Sequence, residues 1–526
     1  MIKDKVLRSF SRDRLESFFM GPIYPIVVAA LVLCGYFFAV EYYLHFINMG
    51  LITLALCVCR SLRPTIIVLC SFVFQISREH TPSTNNVTYV PSDYYFTEGR
   101  HVALIISFVI VGGALVYFFV RNKLITLGAL RSLPLLLPSA LLAVAFVIGG
   151  LFSSNPNERS VGFALVQIVT WFVIFYLYVL GLKRERGSEL LDYLVYVASV
   201  LAIILLCQLI AIFVVNGENM IDMDGSFIRG TVVYGWGVTN TAAQSLTVLI
   251  PVLFIGAMKE KHGIYYFVMA TLAFVGSILN LSRTALVVGV PIYFAALIIT
   301  FVKTKKKKLY AVEISVTAAV IAALIIAFRE YTFPAFENYL IRGTADSGRF
   351  WIWDACIEAF CESPIFGKGF FGLSDYLGGL SNTTFIPFMA HNTPLHMLAC
   401  CGIFGGAAYS YYRIATVIPF VKRPSTAKTF IGLALLSVLL GSLLENFVFY
   451  ILPMFFYSVT FAVSYKLIEE EGQCAEVTLT EAEAREAETD VSEAKMADVG
   501  TNETKPELAG AEMQEVADAA NAETEP

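Results

Sequence analysis

His391 is the residue whose neighbours best suit it to moving a proton. It stands in MAHNTPLHMLACCGIFGG (389–406), where Thr393 reads as a helix N-cap and Pro394 as the first helical residue. His391 and Asn392 then occupy the turn at the mouth of an apolar helix, where a neutral imidazole is a general base. His396 lies five residues on, roughly 140° around the helix. With no Cys, Asp or Glu at ligand spacing, no metal site and no cofactor are expected. Four arginines, Arg229, Arg283, Arg342 and Arg349, fall on the same predicted side of the chain. A planar guanidinium grips phosphate bidentately, so this set suits a phosphorylated substrate, although span-end arginines also snorkel without further role. Glu445, in SLLENFVFY, is a carboxylate that either orients His391 or an acceptor, or is a solvated hairpin tip.

The elements that must position these groups are membrane helices. Of the 526 residues 57% are hydrophobic and 15% charged, and apolar runs of membrane-spanning length recur along the chain. The class is all-α, a polytopic membrane protein of about 12–14 transmembrane helices. A basic arm (1–21) precedes helices over 22–327, a large outward loop over 328–390, the last helices over 391–468, and an acidic tail over 469–526. The tail carries 18 acidic and 3 basic residues without apolar periodicity, so it is expected to be disordered.

Basic residues set the orientation. With both termini cytoplasmic, the inward segments hold 24 Lys and Arg before the tail and the outward segments nine, eight of which are arginine. Two outward segments join the long loop as candidates. Residues 216–240, around Arg229, read as a loop dipping toward the membrane, and LNLSRTALVV sets Arg283 at a membrane boundary.

Within the long loop, RFWIWDACIEAF (349–360) predicts a short helix at the interface, with its aromatics at membrane level. Cys356 and Cys361, five residues apart, would point to different sides, against a disulfide. After Pro364, glycines 367, 369 and 372 break regular structure, Gly378, Gly379 and the Ser/Asn/Thr run that follows keep the chain flexible, and a cover over a bound substrate is expected from this segment.

The order of Arg229, the pair Ser282–Arg283, SGRFWIWDACIEAFCESPIFGKGF (347–370) and HNTPLHMLACCGIFGG (391–406) resembles the O-antigen ligase and polymerase family of bacterial membrane glycosyltransferases. The matching pieces are R-x-x-x-W, P-x-x-G-x-G and H-N-x-x-L, within about residues 225–410. The resemblance implies a GT-C-like fold in the bacterial cytoplasmic membrane. It also implies a polyprenyl diphosphate-linked glycan as donor, and a glycan, lipid or protein as acceptor, with no nucleic acid and no required metal. On this chain it assigns Arg229 and Arg283 to the donor diphosphate, with Arg342 and Arg349 as lesser members of that clamp, and His391 to activation of the acceptor hydroxyl. Asn392 and Glu445 are possible orienting or acceptor-side residues. Ligation, polymerisation and protein glycosylation all fit. A secondary transporter is the alternative from another class, disfavoured because the spans carry mainly Gln167, Gln208, Gln244 and Asn280 at depth rather than charges.

Overall fold

In hydrocarbon a backbone must satisfy its own N–H and C=O groups, so every long apolar run here becomes a helix. The computed structural model describes residues 12–38, 40–76, 100–152, 158–216, 234, 239–280, 282–327, 329, 349–376, 389–422, 425–449 and 453–471. The chain divides into two units, Met1–Ile468 and Glu469–Pro526. Of the second, only residues 469–471 are described, as helix, so the expected disorder of the tail falls on residues outside the described set.

The first unit is all-α, with no strand among the described residues. Its main helices are α1 (Ile23–Phe38), α2 (Glu41–Val58), α3 (Arg100–Asn122), α4 (Leu136–Leu151), α5 (Glu158–Gly181), α6 (Gly187–Asn216) and α7 (Thr239–Ala257). They continue with α8 (Gly263–Leu279), α9 (Ala285–Lys303), α10 (Lys307–Ala327), α11 (Arg349–Glu362), α12 (Thr393–Val421), α13 (Thr426–Leu444) and α14 from residue 453. Among the described residues seven helices are long and apolar enough to cross a membrane, or eight if Arg12–Met20 and α1, bent by 67°, form one span. Between α2 and α3 the chain is helical over Thr65–Ser71 and Val73–Ile76.

α7 is the central helix. Every residue from Thr241 to Ala257 is buried, and the helix packs against α6, α8, α9 and α13. Its first half is rich in Thr, Ser, Asn and Gln, small and polar residues that let membrane helices approach closely. Gln244 lies against α13 where a Cβ on Gly441 would come within 2.9 Å of its amide oxygen. One turn closer to the end of the bundle, Asn240 meets Glu445. The two pairings, stepping four residues in opposite directions, make α7 and α13 antiparallel.

α12 is broken at Gly402, whose φ of 65° and ψ of −164° no L-residue adopts cheaply. The Pro-x-x-Gly-x-Gly turn fills the break. Lys368 N–H donates to Ala399 O (2.8 Å), Gly369 N–H to Cys400 O (2.9 Å), and Ile403 N–H to Pro364 O (2.8 Å). The turn continues inward, with Phe370 N–H on Gly149 O of α4 (3.3 Å) and Phe371 N–H on Ser160 Oγ of α5 (3.1 Å). Gly367 (φ 72°) and Gly402 are so close to the opposing backbones that a Cβ on either would collide with Cys400 or Ile365 main-chain atoms. Residues 363–371 are thus held by backbone hydrogen bonds on both sides, while Gly378, Gly379 and the Ser/Asn/Thr run expected to be flexible lie outside the described residues. The glycines buy close approach, and the turn is spliced into the helix break.

Candidate active site

The start of α7, the end of α13, the start of α12 and the helix α11 meet at one end of the bundle around a single carboxylate. Glu445 terminates α13 as its C-cap and is 1% exposed, so it is not the solvated hairpin tip that its position in the sequence allowed. Two contacts hold the turn after it. α5 carries a π-helical segment, Val169–Val173, which presents Trp171 so that its indole N–H reaches Val448 O (2.9 Å). Gln167 also donates to Phe449 O (3.4 Å). The glutamine read as a polar residue at depth is thus part of the support behind Glu445.

A buried carboxylate is costly unless its oxygens are fully engaged. Glu445 Oε1 accepts from Arg349 Nη2 and from Asn240 Nδ2, each at 2.7 Å. Oε2 lies 2.5 Å from His391 Nδ1. Four elements far apart in sequence therefore converge on one side chain. With Nδ1–H donated to the carboxylate, the imidazole presents the Nε2 lone pair as its proton acceptor. The His391 side chain is about one-third exposed, whereas that of Glu445 is 2% exposed, so the acceptor nitrogen has access and its orienting group does not.

The turn carrying His391 differs by one residue from the reading by sequence. Asn392, not Thr393, is the N-cap: its φ of −157° is extended and its side-chain oxygen accepts from Leu395 N–H (3.1 Å). Thr393 is the first helical residue and is buried, and Pro394 follows in the first turn, where its missing N–H costs nothing. His391 itself has φ 51°, the left-handed region that non-glycine residues seldom occupy.

The arginines separate. Arg349 begins α11 and is ion-paired to Glu445. Arg283 is half-buried and follows Ser282, whose main-chain oxygen and Oγ cap the π-helical start of α9. Tyr234, the one described residue between 217 and 238, is buried and donates to Asn280 Oδ1 (2.7 Å), three residues before Arg283. The rest of the segment expected to dip toward the membrane lies outside the described residues. Asn280 is the C-cap of α8 rather than a residue deep in a span. Arg229 and Arg342 lie outside the described residues.

α11 buries Ile352, Cys356 and Ala359 against the bundle and packs on α12. Cys356 is buried, and burial pushes its thiol up to about 12, whereas Cys361 is exposed; both are free. His396 is buried between Phe370 and Phe449, with Cys400 Sγ beside its ring. Among the described residues no three His, Cys, Asp or Glu side chains are grouped to hold a metal ion.

Two participants escaped the reading by sequence. Asn240 was only the last residue of the 216–240 segment; its signal was the i, i+4 pair with Gln244 on one face of the polar first half of α7. Trp353, the tryptophan of R-x-x-x-W, was legible as a residue of the 349–360 helix, but not its partner: its indole N–H donates to Ala390 O (2.9 Å), the residue before His391.

No curated protein matches the chain. Residues 267–410, which include Arg283, Arg349 and His391, match the family model for O-antigen ligase.

Proposed function

We propose that this protein transfers a glycan from a polyprenyl diphosphate carrier to an acceptor hydroxyl on the outer side of the cytoplasmic membrane. The observation that carries the proposal is the engaged pair His391–Glu445, with Glu445 saturated by Arg349 and Asn240. In the transfer, the acceptor O–H gives its proton to His391 Nε2 while its oxygen attacks the anomeric carbon. The bond from that carbon to the diphosphate oxygen breaks, and the electron pair leaves with the polyprenyl diphosphate. Direct attack inverts the anomeric centre. Glu445 holds the ring and balances the imidazolium that forms, as the carboxylate does in a catalytic triad.

The developing charge on the leaving diphosphate needs fixed cations in a site of low dielectric. Arg283, at the start of α9, is the described residue we assign to it, with Arg229 and Arg342 completing the clamp. Arg349 sits between the two functions: one nitrogen is bonded to Glu445, and the remaining face of the guanidinium is directed by that bond. The unequal burial of His391 and Glu445 supports a base reached from solvent rather than a proton path through the membrane, which favours transfer over transport.

The test is incorporation of glycan from a purified polyprenyl diphosphate donor into glycan, lipid and protein acceptors by the reconstituted protein. Wild type is compared with His391→Ala, Arg283→Ala and Arg229→Ala. Transfer lost in folded variants supports the reading, and product length separates ligation from polymerisation. Proteoliposomes that transfer nothing yet move a solute would overturn it.

A further inference from the structure

We propose that Trp353 is a positioning residue for His391, and that with Arg349 it forms a single clamp on that base. The proposal rests on the reading of His391 as the base. Arg349 and Trp353 are four residues apart on α11, about 40° apart around the helix and one turn along it, so both side chains leave the same face. Each is a hydrogen-bond donor, and each grips a different side of His391. Arg349 Nη2 bonds Glu445 Oε1 (2.7 Å), whose other oxygen holds the imidazole Nδ1. Trp353 Nε1 bonds Ala390 O (2.9 Å), the main-chain group that precedes the histidine. One rigid helix thereby fixes both the ring and the backbone of the same residue.

His391 needs that backbone contact. Its φ of 51° puts a β-carbon-bearing residue in the left-handed region, at a cost of about 1–2 kcal/mol. The following residue, Asn392, is extended and committed to capping α12. Without a donor on Ala390 O, the peptide before His391 can rotate out of this conformation, and the ring then leaves Glu445. Ala390 is fully buried, so water does not replace the indole as its partner. The ring of Trp353 also packs edge-on against Phe350 at 5.4 Å, which orients the N–H. α11 is anchored from below by Ile352, Cys356 and Ala359, which makes the clamp rigid. An aromatic residue serving only as an interfacial anchor would work through its apolar ring; the structure assigns the function to the N–H.

The N–H can be removed alone. Replacing Trp353 by 3-benzothienylalanine keeps the fused bicycle and its packing but has sulfur in place of N–H; Trp353→Phe is the simpler companion. A neutral hydrogen bond of this kind corresponds to about a 2- to 12-fold effect. The expected result is a fall in kcat of that size with the KM values for donor and acceptor unchanged. A readout independent of transfer is the rate at which diethyl pyrocarbonate modifies His391, followed by peptide mass spectrometry, with buried His396 as the internal reference. Release of Nδ1 from Glu445 should change that rate in the same direction as Glu445→Ala does. Combining Trp353→Phe with Arg349→Lys should give less than the product of the single effects, since both free the same residue. A benzothienylalanine protein with wild-type kcat and wild-type labelling would overturn the clamp. Wild-type protein that transfers no glycan would overturn the proposed function instead, and the labelling rates would still decide the clamp.

Discussion

His391 Nδ1 and Glu445 Oε2 stand 2.5 Å apart although 54 residues separate them in the chain. The two atoms are in hydrogen-bond contact, and the carboxylate is buried while the imidazole is not. In the proposed transfer this asymmetry would make Glu445 a support for His391 rather than a group that meets substrate. Replacing it by Gln keeps the shape but removes the charge and allows the amide N–H to face Nδ1, favouring the wrong tautomer. Glu445→Gln is expected to lower kcat by about 10²-fold or more, with donor KM nearly unchanged, in the transfer assay. An unchanged kcat would remove Glu445 from the mechanism.

Asn240 donates to a carboxylate, so its two obvious variants should differ in degree. Asn240→Ala deletes one hydrogen bond to a charged group, about 1.5–3 kcal/mol, and should reduce transfer about 10- to 150-fold. Asn240→Asp places a second negative charge beside Glu445 Oε1 and should be the more damaging of the two at neutral pH. Should Asp be tolerated better than Ala, the direction assigned to this hydrogen bond is wrong.

The splice between the 364–369 turn and α12 makes two glycines irreplaceable. Gly402→Ala and Gly367→Ala each combine a positive φ with collision against a main chain, which has no flexible end to move aside. Each should lower thermal stability of the purified protein by several degrees or prevent its accumulation in the membrane. Gly432→Ala, where the nearest atom to the new Cβ is 3.8 Å away, is the matched control and should be near neutral.

Gly441 faces the amide of Gln244 one turn below the Asn240–Glu445 contact. Gly441→Ala would bring its Cβ to 2.9–3.2 Å from that amide, so that either the Gln244 side chain swings aside within the buried seam or α7 and α13 move apart, at a cost of about 1–3 kcal/mol. The effect should appear both in melting temperature and in kcat, because the same two helices carry Asn240 and Glu445. A shift in stability alone would show that the accommodation does not reach the site.

The two cysteines of α11 give a chemical check on the orientation of that helix. Cys361 is exposed, while Cys356 is buried with its thiol pushed up to about 12. Raising the pH to 9 leaves Cys356 protonated, far below that value, so a water-soluble maleimide should modify Cys361 and spare Cys356 throughout the range. Equal modification of both in the folded protein would mean that α11 does not lie with Ile352, Cys356 and Ala359 against the bundle.

The sequence by itself determined the class of fold, because membrane helices are written in local composition: length, apolarity and the placement of Lys and Arg need no knowledge of distant residues. It also determined the turn at His391 and the helix at 349–360, since capping residues and i, i+4 spacing act within a few residues. Only the tertiary structure decided what surrounds the histidine. Glu445 read as an ambiguous hairpin carboxylate because nothing nearby shows that α5 and α7 bury it, and its partners Asn240 and Arg349 are 205 and 96 residues away. The family match at 267–410 stops short of both Asn240 and Glu445. The glycines of the 364–369 turn signalled irregular backbone in either case, but whether such backbone covers a site or fills a broken helix depends on the opposing surface. Here that surface is Ala399–Ile403, and hydrogen bonds unmade inside α12 at Gly402 are made to the turn instead.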